Sequence, residues 1–259
     1  MRSARRWIAA LLLAPAVLLL GAFLTTRTDW FRRWVMAKEL RLARHGDPEI
    51  EALPSLIWAH RGLRGPSAPP NTVQAMRAAA DSGYSGVEMD LRWRDGALVV
   101  AHDVDEPGQP FAAVVAGVGP GQYLWLDFKQ LSESVARASA PSLQRQLPLP
   151  MRARTFIESS SLAGLAVLRA ALPGTRAIYT TRRWHWSRFS LGYVSLLFDI
   201  ERHGISVLGW PAAELSPEVA KALGGIGLFT WTTNDPGRLA QQRALGVDVI
   251  LTDRLPAAP

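Results

Sequence analysis

From residue 55 onward the chain alternates short β-prone runs with longer stretches whose apolar positions recur at helical spacing. Eight runs read as strands: Leu56 to Ala59, Gly86 to Leu91, Tyr123 to Phe128, Thr155 to Glu158, Ala177 to Thr180, Ile205 to Gly209, Gly227 to Thr232 and Val247 to Leu251. Six stretches between them read as helices: Thr72 to Ala80, Glu133 to Gln146, Leu162 to Ala171, Tyr193 to Arg202, Pro217 to Leu223 and Pro236 to Ala244. Ser216-Pro217 and Asp235-Pro236 follow the order of a capping side chain and then a proline in the first helical turn, where an N–H has no partner to lose. Gly174, Gly204 and Gly246 stand where helices should stop. Strand and helix in alternation predict a parallel sheet, and eight strands in about 200 residues favour a closed (β/α)8 TIM barrel over an open sheet. One linkage departs from the rhythm. Asp95-Gly96 between Leu91 and Leu98 predicts a hairpin with an antiparallel return, Leu98 to Ala101. Beyond it only Phe111 to Val118 is left to form a helix before Tyr123.

The chain before residue 55 has another pattern. Arg2, Arg5 and Arg6 precede eighteen uncharged residues, Trp7 to Leu24, interrupted by Pro15 and Gly21. As a helix, at about 1.5 Å per residue, that run reaches across most of a bilayer. It predicts one N-terminal transmembrane helix, a membrane anchor over residues 1–26. A cleaved signal peptide shares the basic start and apolar run, though Leu20 and Ala22 around Gly21 make a poor cleavage pattern, and a buried soluble helix is the third reading. Residues 27–54 form a basic aromatic juxtamembrane linker. Trp30, Phe31 and Trp34 lie among Arg27, Arg32, Arg33, Lys38, Arg41 and Arg44, which suits the level of lipid headgroups or a helix whose aromatic stripe packs on the domain. Residues 55–259 then form the barrel.

Charge sharpens this division. The net charge is +7, but the first fifty residues alone hold nine Lys/Arg against four Asp/Glu. The body is therefore nearly neutral and no nucleic-acid partner is expected, whereas a membrane suits the basic segment. The basic residues after the run compete with the three arginines before it, so the charge rule leaves the orientation open; the short N-terminus, the easier end to retain inside, favours a barrel on the extracytoplasmic side, the periplasmic face of a bacterial inner membrane. The absence of cysteine excludes a disulfide scaffold, a thiol nucleophile and an iron–sulfur site. Oligomeric state is left open.

Functional groups of a barrel gather where its strands end. His60-Arg61 follow the first strand, Glu88 and Asp90 end the second, His102-Asp103 close its hairpin, and Asp127 and Lys129 end the third. Glu158 and Trp231 end later strands, and Trp210 and Trp231 are expected to line the cleft. Two residues apart on a strand, Glu88 and Asp90 point to one face. Converging carboxylates call for a divalent cation, Ca²⁺ or Mg²⁺, or else a shared proton or an arginine. In the segment Thr180 to Phe189, Trp184 and Trp186 alternate with arginines, as in a grip on a phosphorylated headgroup or a plug of the barrel rim.

These residues also carry a resemblance. His60-Arg61-Gly62, Pro70-Asn71-Thr72, Glu88-Met89-Asp90, Asp95-Gly96 and Val99-Val100-Ala101-His102-Asp103 resemble the glycerophosphodiester phosphodiesterase family. Thr230-Trp231-Thr232-Thr233-Asn234, Gly246-Val247-Asp248 and Leu251-Thr252-Asp253 are similar to its close. The family's fold is a (β/α)8 barrel. The resemblance implies metal-dependent hydrolysis of a phosphodiester with release of an alcohol. His60 and His102 would be general acid and base, and Glu88, Asp90 and Asp127 would hold the metal. Arg61, Lys129, Asn71 and Trp231 would hold phosphate and substrate, which is a small-molecule or lipid phosphodiester.

Three departures bear on substrate. Pro70 stands where the family has Glu, Asp127 is a shorter third carboxylate, and the stretch from His102 to Asp127 lacks the family's usual insertion over the glycerol end. The Asp-x-Lys form is similar to sphingomyelinase-D-like enzymes, whose substrates are phospholipids. A phospholipase D-like enzyme acting on lysophospholipid or sphingolipid, and a degenerate barrel that binds headgroups without turnover, are the alternative readings.

Overall fold

The computed structural model describes residues 21, 28–42, 50, 53, 57–181 and 190–257. The elements run α1 Asp29–Leu42, β1 Ile57–Ala59, α2 Val73–Asp81, β2 Gly86–Arg94, β3 Ala97–Val100, β4 Gln109–Pro110, α3 Phe111–Val115, β5 Tyr123–Phe128, α4 Glu133–Gln146, α5 Leu149–Arg152, β6 Thr155–Ser159, α6 Leu162–Ala171, β7 Arg176–Thr180, α7 Leu191–His203, β8 Val207–Pro211, α8 Pro217–Ala222, β9 Gly227–Trp231, α9 Pro236–Ala244 and β10 Val249–Thr252. Side chains cap the helices: the expected Ser216 and Asp235, and also Ser132 and Ser161, each accept an N–H three residues on. Gly204, at φ +58, ends α7 in the left-handed conformation.

Strands β1, β2 and β5 to β10 are parallel, and β1 pairs with both β10 and β2, so eight strands close a barrel. β3 and β4 continue from β2 as an antiparallel flap. β2 runs to Arg94, past the expected Leu91, because the hairpin pairs Leu91 to Arg94 with Ala97 to Val100. β8 and β10 begin two residues later than their apolar runs. The amides of Ile205 and Val247 bond back to Ile200 and Gln242, so these residues terminate helices instead of opening strands. The α3 piece ends at Val115, and the short β4 and α5 have no counterpart in the sequence reading.

Alternation along each strand sorts the core in two. Trp58, Trp125, Phe156, Ile178, Val207, Phe229, Val249 and Leu251 fill the interior, while Val87, Met89, Leu126, Leu208, Leu228 and Ile250 face the helices. Phe229 lies 5.6, 5.4 and 5.0 Å from the rings of Trp58, Trp125 and Phe156. Gly86 makes room for this cluster: a Cβ there would lie 2.3 Å from the Trp58 indole. The inward positions of β2 are thus Gly86, Glu88 and Asp90, giving space low in the barrel and carboxylates at its mouth. Parity also corrects Trp210. It is fully buried in the outer core, not in the cleft, because Gly209 takes the inward position between Val207 and Pro211.

The segment before the barrel packs on it. Phe31 and Val35 of α1 are buried in the outer core, Trp34 meets Phe198 of α7 at 5.8 Å, and Lys38 pairs with Glu201. Ile50 joins the interior cluster at the end where strands start, against Gly227. Among the described residues no helix is long and apolar enough to cross a membrane. The predicted anchor over Trp7 to Leu24 lies outside them apart from Gly21, as do Trp184 and Trp186.

Candidate active site

Register builds the site. Asp90 of β2 lies beside Asp127 of β5, which lies beside Glu158 of β6, so three inward carboxylates form a row across neighbouring strands. Glu88 sits one inward step below Asp90. Glu88, Asp90 and Asp127 each bring an oxygen within 4.8 Å of the other two. Two cations meet these three carboxylates. The Lys129 ammonium is 2.8 Å from Asp90 Oδ1 and also pairs with Asp127, and Arg61 Nε is 3.0 Å from Asp90 Oδ2.

The loop after β1 locks the arrangement. Arg61 has φ +57, which aims its N–H at Glu88 Oε2, 2.8 Å away. Gly62, at φ +73, passes so close to α2 that a Cβ would lie 2.6 Å from the Ala75 carbonyl carbon. Asn71 is buried, at φ +63, and donates through Nδ2 to Asp90 Oδ2 at 2.7 Å while accepting the Asp90 N–H at 3.1 Å. Asn71 thus orients Asp90 and also lines the cleft beside Arg61.

Charge is unevenly shared. Burial pushes the Glu88 carboxyl well above its ordinary range, and Asp90 and Asp127 push it further. Burial also acts on Asp90, but Lys129 and Arg61 outweigh it and hold Asp90 low. Asp127 is raised by burial and by Asp90, against the pull of Lys129. Burial would lower Lys129, yet the Asp127 and Asp90 carboxylates raise it, so it stays an ammonium.

One histidine reaches this cluster, and the other lines the cleft beside it. His60 Nδ1 is 2.9 Å from Asp253 Oδ1, and His60 Nε2 is 3.9 Å from Glu88 Oε2. Asp253 in turn accepts from Asn234 Nδ2 at 2.6 Å and from Arg64. Although burial would raise it, its bonds to His60, Asn234 and Arg64 hold it well below the usual carboxylate range. A neutral His60 that donates from Nδ1 to Asp253 presents Nε2 as an acceptor facing the carboxylates. His102 lies on the loop after β3, near enough to Asp127 to favour its charged form. Its N–H donates to Glu106 Oε2 at 2.7 Å, its Nδ1 is 2.8 Å from Asp103, and the Arg92 guanidinium holds the carbonyls of Ala101 and His102. Between this loop and the β1 loop opens a cleft of about 420 Å³, lined by Arg61, Pro70, Asn71, His102, Glu106 and Gln109.

Two residues of the mouth were not among the sequence candidates. Asp253 stood in a quoted motif with no role, and Glu158 was noted only as a strand end. Inward parity finds both: Leu251 and Phe156 face the interior, so the residues two further on do too. Glu158 accepts from Trp125 Nε1 at 2.6 Å and from the Thr180 hydroxyl. Burial, reinforced by Asp127, pushes it up to about 8. Trp231 is half-buried at the mouth, edge-on to Trp125 at 6.2 Å.

An all-oxygen set of three converging carboxylates is the donor chemistry of Ca²⁺ or Mg²⁺, and one carboxylate more than the local cations leaves charge for such an ion to balance. The site residues of the first half cluster along the sequence, and there the chain matches a family model. Residues 60–109 match the Glycerophosphoryl diester phosphodiesterase family. That segment includes His60, Arg61, Asn71, Glu88, Asp90 and His102, so the resemblance read from the sequence stands.

Solved structures extend the likeness to the whole barrel. An Oleispira antarctica phosphodiesterase, in complex with the product sn-glycerol-3-phosphate, superposes with a TM-score of 0.65 at 19% identity, covering 80% of this chain and 95% of that one. A glycerophosphodiester phosphodiesterase from Parabacteroides distasonis gives 0.62 at 19% identity, over 77% of this chain and 92% of the other. One from Agrobacterium tumefaciens gives 0.53 at 20% identity, over 77% and 95%. At such identities the likeness establishes the fold. No curated protein matches the chain.

Proposed function

We propose that the chain is a metal-dependent phosphodiesterase that hydrolyses a glycerophosphodiester or related lipid-derived phosphodiester and releases an alcohol. The observation that carries this reading is the convergence of Glu88, Asp90 and Asp127 at the barrel mouth, with His60 Nε2 3.9 Å from Glu88 and His102 lining the adjoining cleft with Arg61. Cleaving a phosphodiester requires a proton to leave the attacking oxygen and a proton to reach the leaving oxygen. His60 Nε2 accepts the first, and Asp253 stabilises the imidazolium that results. His102, at the cleft, returns a proton to the departing alcohol. Glu88, Asp90 and Asp127 would hold a divalent cation, which supplies positive charge to the phosphoryl oxygens when bound. Arg61 and Lys129 offer further donors to the same oxygens.

Purified full chain with Ca²⁺ or Mg²⁺ should turn over at least one of glycerophosphocholine, glycerophosphoethanolamine, lysophosphatidylcholine and sphingomyelin. His60→Ala and His102→Ala should each abolish turnover with the fold intact. Binding of these compounds without hydrolysis would replace the proposal with a headgroup-binding barrel, and full activity in EDTA would remove the metal. A phospholipase D-like preference is favoured by one observation: between His102 and Asp127 only the loop, β4 and the five-residue α3 stand near the cleft. The N-terminal anchor and the extracytoplasmic position belong to the same proposal. Protease accessibility in spheroplasts tests them.

A further inference from the structure

We propose that the mouth of the barrel faces a lipid bilayer, with Trp30 and Leu191 at the contact. The argument is geometric. Helices α1 and α7 run parallel, since Trp34 meets Phe198 and, further along both, Lys38 pairs with Glu201. α7 begins at the mouth. It follows β7, whose last residue Thr180 bonds Glu158 there, and it leads back to Val207 at the start of β8. The Asp29 end of α1 therefore lies at the mouth as well. The other side of the path agrees, because Ile50 enters the interior at the opposite end, against Gly227. Fourteen helical residues span about 21 Å from the mouth toward the other end.

The chain preceding α1 thus leaves from the face that carries His60, Glu88, Asp90 and Asp127. The apolar run ends at Leu24, four residues before Thr28. Four residues span at most about 14 Å, so wherever the run ends, the mouth is close to it. Three large apolar side chains are exposed on that face, among charged ones. Trp30 is 68% exposed and Leu191 is 54% exposed, each in the first turn of one of the two parallel helices, and Val104 on the His102 loop is 57% exposed. The exposed Arg33 lies three residues along α1 from Trp30, and indole and guanidinium together suit the headgroup level of a bilayer carrying anionic lipid. An eighteen-residue uncharged run beside this rim selects a membrane as the occupant. Resting on the phosphodiesterase reading, the consequence is that substrate enters from the lipid side, which favours a diester that still bears an acyl chain.

The chain has no cysteine, so a single introduced one labels one place. Leu191→Cys and Val104→Cys report the mouth, and Lys221→Cys, in the last turn of α8, reports the opposite end. Each full-length variant carries an environment-sensitive fluorophore and is reconstituted into vesicles of phosphatidylcholine with a minority of phosphatidylglycerol. Lipids bearing a nitroxide on the headgroup should quench the labels at 191 and 104 several-fold more than the label at 221. Equal quenching, stronger quenching at 221, or emission that depends on protein density but not on the nitroxide would overturn the proposal, the last pointing to a second copy of the chain. Quenching needs no turnover. The mouth-directed pattern in a protein that hydrolyses nothing would defeat the phosphodiesterase reading alone, and hydrolysis without the pattern would defeat the orientation alone.

Discussion

Asp253→Asn removes a charge and little else, which makes it a sharp test of how His60 works. Asn keeps an oxygen to accept from His60 Nδ1 but gives up the negative charge 2.9 Å from that atom. The attraction between a carboxylate and an imidazolium at that distance is about 1.4 kcal/mol at the dielectric of water and about 6 kcal/mol at an effective dielectric of 20. The side chains of His60 and Asp253 are 14% and 17% exposed, so the true value lies between these limits. That attraction exists only once His60 has taken the proton, and so it acts on the transition state. At about 1.4 kcal/mol per factor of ten, kcat should fall by between about 10-fold and about 10,000-fold with KM little changed. One of the three donors on Asp253 also loses its acceptor, at a cost of about 1 kcal/mol, or about 2–4 °C in Tm for a barrel of this size. Steady-state kinetics beside a thermal melt separate the two effects. A kcat within twofold of wild type, in a protein with the small Tm loss, would refute the assignment of His60 as the proton acceptor.

Glu88→Gln should abolish the rise in Tm that Ca²⁺ or Mg²⁺ gives the wild type, and an unchanged cation response in calorimetry would remove Glu88 from the metal set. Glu158 gives a pH signature. Its folded-state value of about 8, against an ordinary 4.5, means the native protein holds this proton more tightly than the unfolded chain. Its contribution is therefore full below about pH 4.5 and is lost as pH rises to about 8, amounting to at most about 5 kcal/mol. In EDTA, Glu158→Gln should gain stability relative to wild type across that window, and a difference that does not vary with pH would contradict it. Gly86→Ala should cost about 1–3 kcal/mol in urea unfolding through overpacking against the Trp58 indole, whereas an unshifted midpoint would show that the ring has room to move.

How far the sequence carried depended on which physical rule a residue obeyed. Period-two alternation placed Glu88 and Asp90 on one face, and capping chemistry placed the starts of α8 and α9 at Pro217 and Pro236. Ile205 and Val247 misled because an apolar residue that closes a helix has the composition of one that opens a strand. Trp210 shows a second limit. Strand position put it in the cleft, while the direction of its side chain is set by strand parity and the outer helices it packs against. Asp253 was available by the parity rule but becomes meaningful only when β10 is placed beside β1, which no local pattern states.

That pairing of β1 with β10 also sets the order in which the molecule can be made. Ile57 lies beside Ile250, and Ile50 rests on Gly227, so residues that leave the ribosome early find their partners only when synthesis is nearly complete. Until then β1 has no neighbour on that side, and the interior aromatics Trp58 and Phe229 are not yet together. Contacts of such long sequence separation slow folding, because the loop they close must be ordered before they form. The ring therefore closes late, and His60 meets Asp253 only in that same step.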